Sequence, residues 1–273
     1  MIKEYLEYLA KVRGLRAATI EGYKKDLNEF VKYAMAKGLR WSTLTEREVD
    51  AWLANMSDRC ISAATRNRRL AALRGLLTWA QHKGMLETNA ARFCQQAKKA
   101  DTLPKCISIE SIDNYLRNRK PSVASNIAAL QIAIMIESGM RIGEVLDIKL
   151  KDIDTDKQSI KIAGKGGKER YVFYGDRTKK ELENIVGAGV DGKIFPDWSQ
   201  QYYRQNIEEQ LLPFTGKMNP HQLRHTFATN ELNKGMPIET VSMLLGHKRI
   251  DTTQIYARVA VETARQQYQS INN

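Results

Sequence analysis

A set of cationic, imidazole and phenolic side chains in the second half of the chain has the residue types needed to act on a phosphate. Arginine binds two phosphate oxygens at once through its planar guanidinium, histidine exchanges protons near neutral pH, and a tyrosine hydroxyl can serve as a nucleophile. Together these groups predict chemistry at a phosphodiester. The set consists of Arg141, Lys165, His221, Arg224, His247 and Tyr256.

The strongest local signal in this set is a predicted helix start. Asn219 is suited to the N-cap, Pro220 to the first helical position and Gln222 to the capping box. His221 and Arg224 then lie one turn apart on one face, where free backbone N–H groups already favour an anion. A phosphate fits this position, although a capped surface helix with solvated side chains is the alternative for His-x-x-Arg alone.

The other members carry weaker signals when taken singly. Arg141 follows a helix break and opens a new helix in which Glu144 lies one turn along, so a carboxylate can support the guanidinium; an ordinary surface salt bridge is the alternative. Lys165 lies between glycines at a predicted hairpin tip, where a lysine could reach a phosphate or simply be solvated. Tyr256 lies on a predicted short helix and could equally be a core residue.

Metal and cofactor binding are not expected. His221 and His225 are four residues apart, but the glutamate of a His-Glu-x-x-His zinc motif is missing, so we expect His225 to be a core residue or to support the site. The cysteines Cys60, Cys94 and Cys106 are widely spaced and odd in number. This pattern predicts neither a disulfide framework nor a thiolate metal site, and a reducing cytoplasm is the expected location.

The bulk composition favours a globular protein with a polyanionic partner. A chain of 273 residues that is 42% hydrophobic can bury two cores, and the formal net charge is +12. Such a charge favours nucleic acid, although a generic basic protein is the alternative. The N-terminus lacks the pattern of a secretion signal, and the longest apolar run, 127–136, is about half the length that a bilayer requires, so no membrane role is expected.

The elements that must position these residues fall into two predicted domains joined by a linker. Apolar spacing predicts an all-helical domain over 1–97, a polar linker over 98–105 and a catalytic domain over 106–273. Residues 1–103 carry 19 Lys and Arg against 11 Asp and Glu, and the rest carry 24 against 20. The excess of positive charge is therefore +8 before the boundary and +4 after it. The predicted helices of the first domain are 2–12, 17–36, 46–54 and 62–82.

The second domain is predicted to be mainly helical, with a small antiparallel sheet and a glycine-rich hairpin between residues 148 and 174. Alternation of Ile160, Ile162, Tyr171 and Phe173 with polar residues carries the strand prediction. The predicted helices of this domain are 109–119, 125–137, a short one after Arg141, one from about 178, 199–210, 220–234, 237–245, 252–257 and 260–269.

Five segments in this order resemble the motifs of the tyrosine recombinases, the phage-integrase family, with the Xer-like branch among the nearest. The resemblance covers the second domain, and the first resembles the family's SAM-like core-binding domain. It implies a C-shaped clamp on DNA and a site-specific recombinase that cuts and rejoins strands through a 3′-phosphotyrosyl intermediate. The segments are Ser138-Gly-Met-Arg-Ile-Gly-Glu144, Gly164-Lys-Gly-Gly-Lys-Glu-Arg170, His221-Gln-Leu-Arg-His-Thr-Phe-Ala-Thr229, Leu244-Leu-Gly-His247 and Thr252-Thr-Gln-Ile-Tyr256.

The resemblance also implies a role for each residue. Tyr256 would be the nucleophile, Arg141 and Arg224 would clamp the scissile phosphate, and Lys165 would be the general acid. Two histidines, His221 and His247, would assist proton transfer and hydrogen bonding, and Glu144 would support the site. Basic residues on two helices of the first domain would approach DNA. These are Lys24, Lys25, Arg66, Arg68, Arg69 and Arg74.

The expected partners are double-stranded DNA, further copies of the chain forming a tetramer on two sites, and accessory proteins. The tail after Tyr256 would dock on a neighbouring protomer, and packing on its own domain is the alternative. Because the chain begins directly with the core-binding part, we expect an enzyme of core sites only. Three alternative functions remain: a type IB topoisomerase-like nicking and sealing enzyme, a catalytically silent DNA-binding regulator, and a histidine-dependent metallohydrolase.

Overall fold

The chain forms two compact units, residues 1–101 and residues 102–273. Each unit has its own hydrophobic core, so each is described by itself below. The computed structural model describes residues 1–98, 105–163, 169–184, 192–247, 253 and 256. Four predicted features lie outside these residues: the linker between 99 and 104, Lys165 with its glycine-rich hairpin tip, most of helix 252–257 and the helix at 260–269.

The first unit is helical, as predicted. The third helix runs four residues beyond its predicted end at 54, because Met56 is buried and packs against the core. The N-cap of that helix is Thr45, whose backbone N–H donates to Glu48 Oε2 at 2.7 Å in a capping box. The helices are α1 Ile2–Lys11, α2 Ala17–Ala36, α3 Glu46–Asp58 and α4 Ala63–His82, with a 3-10 turn at Trp41–Thr43.

The core of this unit forms on both sides of α4. One face of α4 packs Leu73 against Phe30 of α2 and Trp52 of α3, whose rings meet edge to face with centroids 5.0 Å apart. The other face packs Leu76 against Leu27 of α2. The apolar residues of α2 and α4 therefore form much of the core, and burial of such side chains is the main source of stability in a helical bundle.

The second unit is built around α6, whose apolar residues are buried along most of the helix. This helix contacts α8, α9 and α10, which explains why it is apolar on every face. It ends at Gly139, which has the left-handed φ of 65° typical of a helix C-cap. The helices are α5 Ile109–Asn118, α6 Val123–Ser138, α7 Ile142–Leu146, α8 Asp176–Glu183, α9 Gln200–Thr215, α10 His221–Asn233 and α11 Ile238–Leu245.

The predicted antiparallel sheet is present and has the order β1-β2-β3, but its last strand turns a different face to the core than the pattern suggested. Ile160 pairs with Val172, and both side chains are fully buried. Tyr171 and Phe173 therefore point outward and are more than half exposed, because neighbouring residues of a strand face opposite sides. The strands are β1 Ile153–Asp154, β2 Ser159–Ala163 and β3 Glu169–Phe173, with a 3-10 turn at Leu150–Asp152 before them.

Helix α9 is longer than its predicted range of 199–210, because it continues through Pro213 to Thr215. A proline in the last turn removes only one backbone hydrogen bond, and burial of Leu211 with packing of Phe214 against the core offsets that loss. Tertiary packing thus extends a helix that local sequence signals would end earlier.

The sequence predicted neither a membrane-spanning helix nor a disulfide framework. Within that part of the chain, no helix combines the length and the apolar character that crossing a bilayer requires. All three cysteines are described and free, with Cys94 buried and Cys60 and Cys106 exposed.

Candidate active site

Helix α10 begins with the capping interactions expected from its sequence. The side-chain oxygen of Asn219 accepts a hydrogen bond from the backbone N–H of His221 at 2.9 Å. In return, Gln222 Oε1 accepts from the backbone N–H of Asn219 at 2.8 Å. The helix is assigned from His221, one residue later than Pro220, although Pro220 already has helical dihedral angles. His221 and Arg224 consequently lie in the first turn, as predicted.

The guanidinium of Arg224 is the centre of the site and is fully buried. Its Nη1 donates to the backbone oxygen of Gly139 at 2.7 Å, and its Nη2 donates to the backbone oxygen of Leu245 at 2.7 Å. Nη2 also lies 2.9 Å from His247 Nε2. Three acceptors from two segments, the end of α6 and the end of α11, therefore hold the planar fork in one orientation.

The electrostatic environment of Arg224 is unfavourable for a cation when no anion is present. Burial, followed by the positive charge of Arg141, lowers the pKa of Arg224 to about 10. The group is still protonated at neutral pH, so a desolvated positive charge remains beside a second arginine. Such a site gains most from an anion that enters between the two charges.

His247 is held in one tautomer by its two neighbours. Arginine can only donate, so His247 Nε2 must accept from Arg224. The proton of the neutral ring is then on Nδ1, which donates to Thr253 Oγ1 at 2.8 Å. Burial, followed by the charge of Arg224, lowers the pKa of His247 to about 4, in agreement with a neutral ring. Thr253 is fully buried and was not identified from the sequence.

Arg141 and Glu144 are joined as predicted, and Arg170 completes their ion network. Glu144 accepts from the backbone N–H of Arg141 at 2.9 Å and from its guanidinium at 3.1 Å. Arg170 Nη2 donates to the same carboxylate at 2.8 Å, and its Nε donates to the Leu244 oxygen at 3.1 Å. Burial raises the pKa of Glu144, but these hydrogen bonds and charges outweigh it and lower the pKa below its usual value. The ionised carboxylate thus fixes both arginines.

Tyr256 is 3% exposed, and its ring packs in a cluster with Phe227 and Val241. Its hydroxyl lies 2.9 Å from His225 Nδ1. Burial raises the pKa of Tyr256, while the positive charges of Arg224 and Arg141 act in the opposite direction. The phenol is therefore neutral at physiological pH in this arrangement.

His221 differs from the other two histidines because its side chain is exposed. Its ring meets that of His225 edge to face, with centroids 4.6 Å apart. Loss of hydration, followed by the charges of Arg224 and Arg141, lowers the pKa of His221. A neutral and accessible imidazole is thus present at the edge of the arginine cluster.

Most of the site residues named from the sequence lie in this one region. Lys165 lies outside the described residues. Two residues that take part in the network were not assigned a role from the sequence, namely Arg170 and Thr253. Both lie within the motifs quoted above, Arg170 at the end of the second and Thr253 in the fifth, so their positions offered a signal. The residues brought together are Arg141, Glu144, His221, Arg224, His247 and Tyr256.

The basic residues named in the first unit differ in how free they are. Lys24 and Lys25 are exposed. Arg68 is also exposed, while its guanidinium contacts the buried Asp26 at 2.5 Å. Arg74 is tied to its own unit, because its Nε donates to the Ala91 oxygen at 2.9 Å and its Nη2 to the Cys94 oxygen at 2.7 Å.

The two remaining arginines of that group are only partly accessible. Arg69 is largely covered, and its side chain approaches the carboxylates of Asp26 at 3.9 Å and Glu29 at 3.5 Å. Arg66 has a buried Nε without a hydrogen-bond partner in the described part of the chain. A contact with DNA stays a prediction for all six residues. Arg69 and Arg74 also make contacts within the first unit that stabilise its fold.

Among the described residues, one group of potential metal ligands lies in the first unit. Glu46, Asp50 and Cys94 bring their ligand atoms within 4.8 Å of one another. Burial, followed by the negative charge of Asp50, raises the pKa of the Cys94 thiol to about 12. Exposed carboxylates commonly lie close together without an ion, so we assign no metal to this group.

Comparison with protein families gives the context for this arrangement. Residues 108–263 match the model of the phage integrase family, and residues 2–84 match that of the phage integrase N-terminal SAM-like domain. The first match alone covers more than half of the chain. The chain belongs to the phage integrase family. It is a tyrosine recombinase, an enzyme that cleaves and rejoins DNA at specific sites.

Curated relatives of this recombinase are similar over almost its whole length. The tyrosine recombinase XerC of Corynebacterium glutamicum is 32% identical, in an alignment that covers 95% of this chain and 87% of the relative. The tyrosine recombinase XerD of Proteus mirabilis is 28% identical, with coverage of 96% and 89%. The Xer-like resemblance inferred from the motifs is therefore confirmed.

Solved structures support the same fold at lower sequence identity. The XerH recombinase in a post-cleavage complex with palindromic difH superimposes with a TM-score of 0.78 and 21% identity, covering all of this chain and 85% of that one. A lambda integrase dimer bound to a COC′ core site gives a TM-score of 0.74 and 18% identity, covering 93% of each chain. A mainly helical chain with a SAM-like domain and an α+β catalytic domain is the architecture expected from the sequence.

Proposed function

We propose that this recombinase cuts duplex DNA by attack of Tyr256 Oη on the scissile phosphorus, which forms a 3′-phosphotyrosyl ester and releases a 5′ hydroxyl. The observation that carries the proposal is the buried Arg224 fork, held rigidly in the same cluster as His247 and Tyr256. The ester retains the energy of the broken phosphodiester, so a 5′ hydroxyl from another strand can reverse the step without a nucleotide cofactor or a metal.

The two arginines would supply most of the rate enhancement. In-line attack adds negative charge to the phosphoryl oxygens in the transition state, and cations fixed beforehand stabilise that charge more than they stabilise the ground state. Arg224 is immobilised by backbone oxygens, and Arg141 is supported by Glu144 while half of its side chain remains open to a ligand. In this proposal Arg141 binds and orients the phosphate, and Arg224 stabilises the developing charge.

Three further residues have proposed roles around the phosphate. Lys165 protonates the departing 5′ oxygen, a role that rests on the family resemblance. His221 is exposed beside the arginines and would donate a hydrogen bond to a phosphoryl oxygen. His247 holds the Arg224 fork through Nε2 and would exchange that contact when a phosphate oxygen takes its place.

Double-stranded DNA is the proposed substrate, and the first unit is proposed to hold it. Its excess positive charge lowers the free energy of binding by releasing counterions from phosphates. Lys24, Lys25 and Arg68 are the exposed members of the predicted basic set, so we propose that they carry most of its backbone contacts.

The test of the proposed chemistry is to identify the residue that becomes joined to DNA. A duplex selected by the full chain from a randomised oligonucleotide pool is nicked within its site, so that the released 5′-hydroxyl fragment diffuses away and the adduct accumulates. In EDTA buffer we expect one covalent adduct whose linked peptide, read by mass spectrometry, contains Tyr256. Cleavage without an adduct, or linkage to a different residue, would contradict the proposal.

Assembly on DNA is proposed to follow from the number of strands exchanged. Two duplexes contain four strands, so one active site per strand requires a tetramer with related interfaces. Lambda integrase binds a COC′ core site as a dimer, which supports two protomers on each duplex, half of the proposed tetramer. We propose that the tail after Tyr256, which lies outside the described residues, docks on a neighbouring protomer.

Truncation after Arg258 tests the role of the tail. Loss of a docking segment should leave binding of one protomer to a half-site unchanged, while pairing of two full sites should fall by about tenfold or more, which corresponds to only ~1.4 kcal/mol of interface free energy. Native gel electrophoresis of one-site and two-site duplexes measures both quantities. Unchanged pairing would mean that the tail packs on its own domain.

A further inference from the structure

His225 makes a contact that the roles assigned so far leave unexplained. It follows Arg224 on α10, and its Nδ1 lies 2.9 Å from Tyr256 Oη. The two rings are tilted by 49°, with centroids 5.3 Å apart. Arg224 also acts on the Tyr256 hydroxyl as a hydrogen-bond donor, which lowers the pKa of the phenol against the larger effect of burial.

The direction of this hydrogen bond follows from the chemistry of the two groups. The buried phenol is neutral, and a buried O–H group requires an acceptor. Burial, followed by the charges of His221 and Arg224, lowers the pKa of His225 to about 4, so its ring is neutral as well. The phenol therefore donates to Nδ1, and the ring proton of His225 is on Nε2.

The contact with His225 also determines the direction in which the lone pairs of the Tyr256 oxygen point. With its proton directed at His225, the hydroxyl leaves its lone pairs free for other directions. The charges of Arg224 and Arg141 act on this oxygen, and the ring of His247 is stacked on that of Tyr256 at 6.4 Å between centroids. His225 thus orients the hydroxyl and is placed to accept its proton, while the cations lie where they can bind the phosphate.

We propose that His225 is a catalytic residue of the cleavage step, in which it orients the Tyr256 hydroxyl and accepts its proton. This inference rests on the proposed function of Tyr256. As the Tyr256 Oη–phosphorus bond forms, the O–H bond breaks and its proton moves to His225 Nδ1. The bond from phosphorus to O5′ breaks, its electron pair stays on O5′, and Lys165 supplies the proton for that oxygen. His225 returns its proton when the reaction reverses.

Entry of DNA makes this transfer more favourable than it is in the free protein. His221 and Arg224 on the same helix, Arg141 and Cys106 act on the two rings. A phosphodiester placed among these cations brings a negative charge that stabilises an imidazolium. Proton transfer is therefore coupled to phosphate binding, and the free enzyme retains a neutral nucleophile.

The kinetic test compares variants that separate orientation from proton transfer. His225→Asn keeps an acceptor close to the position of Nδ1 but provides no basic nitrogen, and His225→Leu removes both. With the nicked selected duplex at saturating concentration, we expect both variants to slow single-turnover adduct formation by about 10²- to 10⁴-fold. The Kd for that duplex should change less than about twofold. His82→Asn, an exposed histidine of the first unit, is the matched control and should keep the wild-type rate.

Two further measurements distinguish a catalytic role of His225 from a folding defect of the variants. Imidazole added to His225→Ala should restore part of the rate, because a structural role would not be rescued by a free base. In the wild-type protein without DNA, ¹⁵N NMR of the four histidines should show His225 with its proton on Nε2 and His247 with its proton on Nδ1. His225→Asn at the wild-type rate, or a proton on His225 Nδ1, would overturn the inference.

The outcomes also distinguish this inference from the function on which it rests. If Tyr256→Phe still forms the adduct, the proposed nucleophile is wrong and the role of His225 falls with it. If Tyr256→Phe is inactive while both His225 variants react normally, only the role of His225 is wrong.

Discussion

Replacing Tyr256 by phenylalanine is expected to abolish the covalent DNA adduct, a loss on the order of 10⁴-fold or more, as seen when a catalytic nucleophile is removed. Phenylalanine keeps the ring that packs with Phe227 and Val241, so the fold around it should persist. The hydroxyl is lost together with its hydrogen bonds, chiefly the one to His225, which should cost about 1 kcal/mol of unfolding free energy. DNA binding should therefore remain at the wild-type Kd.

The matched control for this change is Tyr115→Phe. Tyr115 is also buried in the second unit, and its hydroxyl donates a single hydrogen bond of 3.1 Å to the Ser125 oxygen. The control should lose a similar amount of stability and retain adduct formation on the nicked duplex. A Tyr256→Phe protein that still becomes joined to DNA would require a different nucleophile.

Arg224→Lys should slow adduct formation by about 10³-fold at saturating DNA. The guanidinium spans the oxygens of Gly139 and Leu245 and also contacts His247. An ammonium on a flexible stem presents all its protons from one atom, so it cannot reach these three acceptors and a phosphate in the same geometry. The positive charge is retained, so DNA affinity should fall much less than the rate.

Arg119→Lys is the control for disturbing a covered guanidinium. Arg119 donates to the carboxylate of Glu181 and to the Leu116 oxygen, both at 2.6 Å, within the same unit. Its replacement should reduce the melting temperature without a specific loss of cleavage. A rate for Arg224→Lys within tenfold of wild type would mean that charge alone, rather than a fixed fork, acts at this position.

Local signals in the sequence predicted the parts of this site that depend on neighbours along the chain. Asn219 and Gln222 cap α10 as expected, and Arg141 and Glu144 pair across one helical turn. Helix periodicity also located most helices of both units. These features could be predicted because residues three or four apart meet on a helix whatever surrounds it.

Features set by contacts between distant segments could not be predicted in the same way. Packing of Leu211 and Phe214 carries α9 through Pro213, and hairpin register buries Val172 rather than the neighbouring aromatic residues. In both cases a local preference of modest size is outweighed by burial of apolar surface against other elements. The local preference of each segment can be predicted from the sequence. Whether that preference is followed depends on the elements that pack against the segment in the folded protein.

The residue types and their order along the chain therefore determined the family, the reaction class and the set of groups available for it. Tertiary structure alone decided how those groups are joined: Arg224 to oxygens 85 and 21 residues away, and His225 to a hydroxyl 31 residues away. The physical reason is that backbone oxygens and buried hydroxyls are present throughout any chain. Only folding selects which of them meets a given side chain, and that selection fixes tautomer, proton position and the orientation of the nucleophile.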